Sequence, residues 1–211
     1  MWLAVFFGAS VVIAMTPGAN NLLGMHHGVH HGARSAVLAL SGRLAAFAIM
    51  IIAVVAGLGP LLAASEIALT VIKWVGVAYL VWIAVRLLVS TFRGAPAGDP
   101  DVRSVPEPAA TSGRQLLRKE FLVAISNPKA LLIFTAFVPQ FADPARGPVE
   151  LQLAALGALY LLAEAIAGTA YVVVGAVVRA AKLTARARKR MDRGTGAVLL
   201  GMAGVLAASK T

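Results

Sequence analysis

The 211-residue sequence contains no cysteine and few charged residues. Without cysteine, disulfide bonds, cysteine metal sites and cysteine nucleophiles are excluded. Charged residues make up 13% of the chain, whereas a typical soluble domain has about 25%. Hydrophobic residues make up 59%, and the mean hydropathy is +0.83. The composition therefore predicts a membrane protein.

Other absences narrow the function further. The sequence has no nucleotide-binding loop, no recognisable nucleophile and base pair, and no enzyme-like set of metal ligands, so we predict no enzymatic activity and no cofactor. The net charge of +10 comes from Lys and Arg that lie between apolar runs. Such residues collect in cytoplasmic loops, and we expect no binding to nucleic acid. The N-terminus lacks the basic region of a cleavable signal and is interpreted as a first span.

Six apolar stretches are predicted to be membrane helices, which need about 20 residues per span, although the sixth is short. A polar link at residues 25–34 separates the first two, and a loop rich in Pro and Gly, predicted to be disordered, separates the third and fourth. A basic amphipathic lead-in at the membrane interface is predicted at 113–120. The predicted spans are 2–23, 36–58, 67–85, 121–138, 151–178 and 195–208.

The spans form a single transmembrane domain, 1–211, made of two similar halves. Repeat one covers about 1–90, a cytoplasmic loop about 91–113, and repeat two about 114–211. Basic residues are concentrated in the first, third and fifth loops, which predicts that both termini lie outside. Residues 12–19 align with 123–130, and each segment contains a proline. Three spans per half and matching broken helices indicate inverted repeats, which are typical of transporters with a site between the halves.

Two polar breaks interrupt otherwise apolar spans, at residues 16–21 and 126–129. A proline inside a helix removes a hydrogen bond, and the amide end of the following half-helix attracts a carboxylate. Because an amino acid carries both charges, two such breaks can bind both of its ends; the alternative is a simple kink in each span. The predicted substrate-binding residues are Pro17, Gly18, Asn20, Asn21, Asn127, Pro128 and Lys129.

Apart from Lys73 near the start of the third span, three charged residues lie within predicted spans: Arg43, Lys129 and Glu164. Charges at that depth are costly and commonly functional. Glu164 is far from both ends of its span and is the only acidic residue placed deep in one, so we interpret it as a proton-coupling group. Lys129 is its partner or a carboxylate binder, and Arg43, nearer the cytoplasmic end, is interpreted as structural. An ion pair between Glu164 and either cation is the alternative.

The link between the first two spans contains four histidines, His26, His27, His30 and His31. If the link is helical they form two pairs spaced by four residues, a spacing that suits a metal ion. The other interpretation is a solvated polar loop, because no Cys, Asp or Glu lies nearby in the sequence. The histidines make a divalent cation the alternative substrate.

Residues 16–23, Thr-Pro-Gly-Ala-Asn-Asn-Leu-Leu, resemble the Pro-Gly-Pro-Asn signature of the LysE/RhtB family of bacterial amino-acid exporters. Asn-Pro-Lys-Ala at 127–130, followed by Phe-Val-Pro-Gln-Phe at 137–141, is similar to the second signature of that family, and Gly-Val-Ala-Tyr-Leu at 76–80 to its third-span motif. The resemblance covers the whole chain. Ala19 stands where the family commonly has proline, and the four histidines replace a more ordinary link.

The resemblance implies an all-α protein of six helices in the bacterial inner membrane. It also implies secondary export of amino acids or their derivatives, coupled to the proton gradient. The expected partners are an amino-acid substrate, protons and the lipid bilayer, and the sequence is compatible with a monomer or a homo-oligomer. The alternative is a divalent-cation exporter of the wider superfamily.

Overall fold

The computed structural model describes residues 2–57, 66–92, 112–181 and 185–208. Within these ranges every regular element is helical and no strand occurs. Most of the loop predicted at about 91–113 lies outside the described residues, as do most of the turn after the second predicted span and residues 182–184 of the fifth loop. The elements are α1 (Trp2–Met15), α2 (Ala19–Val55), α3 (Glu66–Phe92), α4 (Gly113–Ile125), α5 (Pro128–Leu132), α6 (Val149–Ala180) and α7 (Ala185–Ala208).

The first predicted break is present, because α1 ends at Met15 and α2 begins at Ala19. The interpretation of residues 25–34 as a solvated polar loop is wrong, since all four histidines lie inside α2. The backbone of α2 leaves helical geometry only at Gly32, where φ is 80° and ψ is 169°. Glycine adopts a positive φ without a steric penalty. The first and second predicted spans are therefore joined by a bend at Gly32.

The second predicted break is also present, between α4 and α5. Ser112 begins α4 by accepting a hydrogen bond from the backbone amide of Gln115, and Asn127 begins α5 by accepting one from the amide of Lys129. The chain bends by 57° between α4 and the segment 129–141. The residues predicted as a basic amphipathic lead-in, 113–120, are helical and continue without interruption into the start of the predicted fourth span. Their place at the membrane interface stays a prediction. After α5 the chain forms a π-helical turn at Ile133–Phe137 and short 3₁₀ turns at Val138–Phe141 and Pro144–Arg146.

Helix α2 lies at the centre of the described fold and packs on α6 and α4, while α3 packs on α7. Glycines allow the close approach of α2 to α6. A Cβ atom at Gly28 would collide with the carbonyl oxygen of Val172, and one at Gly175 with the carbonyl oxygen of Met25. Small residues at helix crossings are the usual means of close packing in membranes.

Two described helices, α2 and α6, are long and apolar enough to cross a membrane, and the bent pair α4–α5 forms a third span if it is counted as one. Large apolar side chains such as Val12, Ile52, Leu151 and Val177 are exposed on the surface. A soluble protein rarely exposes so much apolar surface, whereas lipid covers it favourably. The predicted all-helical membrane fold is confirmed at this level, and the six-span inverted repeat stays a prediction.

Candidate functional site

The two helix breaks lie side by side, although more than 100 residues separate them in the sequence. The side-chain amide of Asn127 donates a hydrogen bond of 2.6 Å to Oδ1 of Asn20. The ammonium group of Lys129 donates to the carbonyl oxygens of Ile13, at 2.7 Å, and Thr16, at 3.2 Å. These bonds connect the second break directly to the first.

A cavity of about 280 Å³, mouth included, opens where the breaks meet. Pro17 is exposed and does not line it, and Pro128 is the first residue of α5. Apolar and aromatic walls are contributed by Phe47, Ile133 and Tyr160, among others. The predicted site residues that line the cavity are Gly18, Asn20, Asn21, Asn127, Lys129 and Glu164.

The start of α2 at this cavity is an open helix N-terminus. Gly18 is its N-cap and has no side chain to bond the first amides. Asn20 adds a second donor, because its Nδ2 is buried and has no hydrogen-bond partner among the described residues. The break at α5 differs, since the side chain of Asn127 already caps that short helix. Of the two breaks, only the one at α2 therefore offers uncapped amides to an anion.

The freed carbonyl groups at the end of α1 are satisfied by side chains from both breaks. Nδ2 of Asn21 donates to the carbonyl oxygens of Ala14, at 2.7 Å, and Thr16, at 3.2 Å. Lys129 supplies its ammonium to the same turn. Unpaired carbonyls are costly in a membrane, so both residues stabilise the break. In this conformation Lys129 binds backbone rather than projecting as a free cation.

Arg43 is fully buried and lies between two carboxylates. Its Nε and Nη2 donate to Oε2 of Glu120 at 2.9 and 2.8 Å. Its Nη1 donates to Oε1 of Glu164 at 3.1 Å and to Oδ1 of Asn21 at 3.2 Å, and its Nη2 also bonds the carbonyl oxygen of Asn20. The guanidinium thus joins α2, α4 and α6 directly behind the cavity.

Glu164 is not the only buried acidic residue in its surroundings, because Glu120 is completely buried. Glu120 comes directly after the basic residues Arg118 and Lys119, which suggested that it lies at the membrane interface. The spacing of the apolar residues in α4 indicated burial instead. Leu116, Glu120 and Val123 recur at four and three residues, which places Glu120 on the buried face of α4. Two carboxylates consequently share one guanidinium.

Glu164 lines the cavity, and one of its two carboxylate oxygens bonds Arg43. The hydroxyl of Tyr160, one turn earlier on α6, lies 3.5 Å from Oε2 of Glu164. Tyr160 is buried and packs edge-on against Phe134. One oxygen of Glu164 therefore bonds the guanidinium of Arg43, and the other lies beside the hydroxyl of Tyr160, which is another residue of the cavity lining. This arrangement can accept a proton or an ammonium group on the Oε2 side.

The four histidines divide into separate environments. Nδ1 of His27 lies 3.2 Å from Oε1 of Glu120 inside the protein, and His31 approaches no acidic side chain in the described residues. His26 and His30 converge on Asp192 of α7, a partner that could not be identified from its place in the sequence. Burial alone would raise the pKa of Asp192, but the hydrogen bonds from His26 and His30 have a larger effect in the opposite direction. The pKa of Asp192 therefore lies well below its ordinary value.

The chain is similar to several bacterial membrane proteins, some of which are named for efflux. It is 26% identical to the homoserine/homoserine lactone efflux protein of Salmonella typhimurium, over 99% of this chain and 97% of the relative. It is 28% identical to the leucine efflux protein of Enterobacter sp., over 62% of this chain and 59% of that protein. An uncharacterized membrane protein of Vibrio cholerae is 30% identical over 100% of this chain and 98% of its own length.

No solved structure matches the chain. The family model described as LysE type translocator matches residues 11–210, which include both helix breaks, Arg43, Glu120 and Glu164. The resemblance inferred from the two signatures is thereby confirmed. The chain belongs to the LysE type translocator family.

Proposed function

We propose that the protein exports amino acids or amino-acid derivatives across the bacterial inner membrane, with the substrate bound in the cavity between the helix breaks. The observation that supports this most strongly is that the same cavity is bordered by groups that favour an anion and by a group that favours a cation. The start of α2 and Nδ2 of Asn20 favour an anion, whereas the carboxylate of Glu164 favours a cation. An amino acid at neutral pH carries both groups a few bonds apart.

The names of the relatives support a small substrate. Two of the relatives are named for efflux of homoserine, its lactone or leucine. We therefore propose a single neutral amino acid or a close derivative rather than a peptide.

We further propose that export is driven by proton antiport at Glu164. The carboxylate cannot hold a proton and attract a substrate ammonium at the same time. A proton that enters from outside neutralises Glu164 and releases the substrate, and loss of the proton inside restores the anionic carboxylate. Arg43 and Glu120 keep Glu164 in place through this exchange, because the guanidinium stays paired with Glu120 by two hydrogen bonds.

The proposed architecture is six spans in two inverted repeats, with both termini outside. The concentration of basic residues in alternate loops supports the orientation. The adjacency of the two breaks supports the repeat, since each half contributes its broken helix to one cavity.

Export of a divalent cation is the less favoured candidate. The cavity offers a cation one carboxylate, side-chain amides and backbone carbonyls, but none of its lining residues is a histidine. The two histidines that converge with an acidic residue, His26 and His30, do so outside the cavity. The histidines therefore do not form the substrate site that we propose.

Reconstituted proteoliposomes provide the test. Vesicles loaded with radiolabelled homoserine, leucine, threonine, lysine or ⁵⁴Mn²⁺ are given a proton gradient, and the transported label is counted against protein-free vesicles. We expect transport of one or more neutral amino acids and none of the metal. Transport of the metal alone would contradict the proposed function.

A further inference from the structure

We propose that His26, His30 and Asp192 form a binding site for a transition-metal ion of the Zn²⁺ class, resident in the protein and distinct from the transported substrate. His26 and His30 belong to α2, and Asp192 belongs to α7. An ion bound there joins the first segment of α2 to the last described helix. The proposal does not depend on which substrate the cavity binds.

The geometry is close to that of a metal site. His26 and His30 are four residues apart on one helix, so their rings project from the same face; the ring centroids are 4.3 Å apart. Nε2 of His30 lies 2.7 Å from Oδ1 of Asp192, and Nδ1 of His26 lies 3.4 Å from the same oxygen. One potential ligand atom from each residue lies within 4.8 Å of the other two.

Little movement is needed to admit an ion. Ligands at about 2.0–2.1 Å from a tetrahedral Zn²⁺ are roughly 3.3 Å from each other. The distance between His26 and Asp192 already matches this value. The distance between His30 and Asp192 has to widen by roughly 0.6 Å to reach the tetrahedral spacing, which a small rotation of the partly buried carboxylate side chain provides.

The donor set selects the class of metal. Two imidazole nitrogens and one carboxylate oxygen suit Zn²⁺, Co²⁺ or Ni²⁺, whereas Mg²⁺ and Ca²⁺ require mainly oxygen ligands. The side chains of His26, His30 and Asp192 are 19%, 24% and 16% exposed. An ion can therefore enter from the solvent, and a water molecule can serve as its fourth ligand.

The surroundings indicate a resident ion rather than cargo. None of the three residues lines the cavity. The guanidinium of Arg179 donates to the carbonyl oxygen of His30 at 2.9 Å, so a positive charge stands beside the site and disfavours cations that bind by charge alone. Gly32, where α2 bends, follows His30 by two residues. An ion here fixes α2 to α7 next to that bend.

The test uses the purified full-length protein, carrying an affinity tag without histidine. Zn²⁺ is titrated in competition with a chromophoric chelator, and Co²⁺ is added separately to record its visible ligand-field bands. We expect one Zn²⁺ per chain and a Co²⁺ spectrum of tetrahedral type. His30→Ala and Asp192→Asn should each weaken Zn²⁺ binding at least about tenfold, equivalent to about 1.4 kcal/mol per factor of ten.

His31→Ala is the matched control, because His31 is the adjacent histidine on the same helix and does not join the cluster. It should bind Zn²⁺ like the unchanged protein. Asp192→His should retain binding, since imidazole is also a ligand, which separates loss of a donor from loss of fold. The proposal is overturned if no saturable Zn²⁺ binding occurs, if Asp192→Asn binds as well as the unchanged protein, or if His31→Ala loses binding as much as His30→Ala.

Discussion

Arg43 and Glu120 are 77 positions apart in the sequence, yet two nitrogens of the guanidinium bond the same carboxylate oxygen at 2.9 and 2.8 Å. Both side chains are completely removed from solvent. The pair fixes α2 against α4 and holds the guanidinium in reach of Glu164. The buried ion pair therefore connects the packing of the helices with the chemistry of the cavity.

Breaking this pair should destabilise the protein. Glu120→Gln leaves the guanidinium of Arg43 with one anionic partner instead of two, and removal of one member of a buried ion pair typically costs about 3–5 kcal/mol. We expect a clearly lower midpoint of thermal unfolding in detergent, measured by size-exclusion chromatography after heating. Arg43→Gln combined with Glu120→Gln should lose less than the sum of the single changes. Strictly additive losses would show that the two residues do not act as a pair.

Asn20→Asp should weaken substrate binding. The change keeps the oxygen that accepts the hydrogen bond from Asn127 but replaces the unpartnered amide nitrogen with a negative oxygen. Repulsion of a substrate carboxylate should raise the dissociation constant at least about tenfold, or about 1.4 kcal/mol, as measured by scintillation proximity binding. The corresponding amino-acid amide, which lacks the carboxylate, should lose much less affinity. Equal losses for both ligands would contradict the placement of the carboxylate beside Asn20.

Gly175→Ala should disturb the crossing of α2 and α6. A Cβ atom at this position meets the backbone of Met25, which cannot move as a flexible side chain does. Overpacking of this kind costs about 1–3 kcal/mol and should lower the unfolding midpoint. Gly201→Ala is the control, because its added Cβ would lie more than 4 Å from the heavy atoms of the other described residues, its own helical turn apart. A similar midpoint for both variants would contradict the close approach of the two helices.

The topology can be tested by labelling, because the natural chain has no cysteine. Single cysteines at Gly98 and Arg188 should resist a membrane-impermeant thiol reagent in intact cells and react after permeabilisation. A cysteine at Ala145, in a short turn before α6, should react in intact cells. The reverse pattern would show that the termini face the cytoplasm.

The helix breaks and the burial of Glu164 could be predicted from sequence because they depend on local signals. Proline and glycine at residues 16–18, and Asn-Pro at 127–128, interrupt a helix wherever it lies. Glu164 lies in the middle of a long apolar stretch, too far from either end for its side chain to reach water. Each of these features is determined by residues within a few positions of it.

An ion pair between Glu164 and a cation was one of the alternatives, and Arg43 forms it, but the other partners of the charged side chains could not be predicted in the same way. Arg43 meets Glu120, and His30 meets Asp192, only because the helices pack at a particular angle and register. The polar composition of residues 25–34 also favoured a loop, although the spacing of the histidines by four residues was compatible with the helix that they form. Contacts between distant segments depend on the fold as a whole, which a pattern of neighbours does not specify.

The role of Glu164 is tested most directly by Glu164→Gln in proteoliposomes, because the amide keeps the size of the side chain and cannot exchange a proton. Glu150→Gln, an exposed position at the start of the same helix, is the matched control. Substrate accumulation driven by a proton gradient is measured for each variant, together with exchange of labelled for unlabelled substrate without a gradient. We predict that Glu164→Gln loses accumulation and retains some exchange, while Glu150→Gln keeps both. Accumulation by the Glu164→Gln variant at the rate of the unchanged protein would contradict proton coupling at this carboxylate.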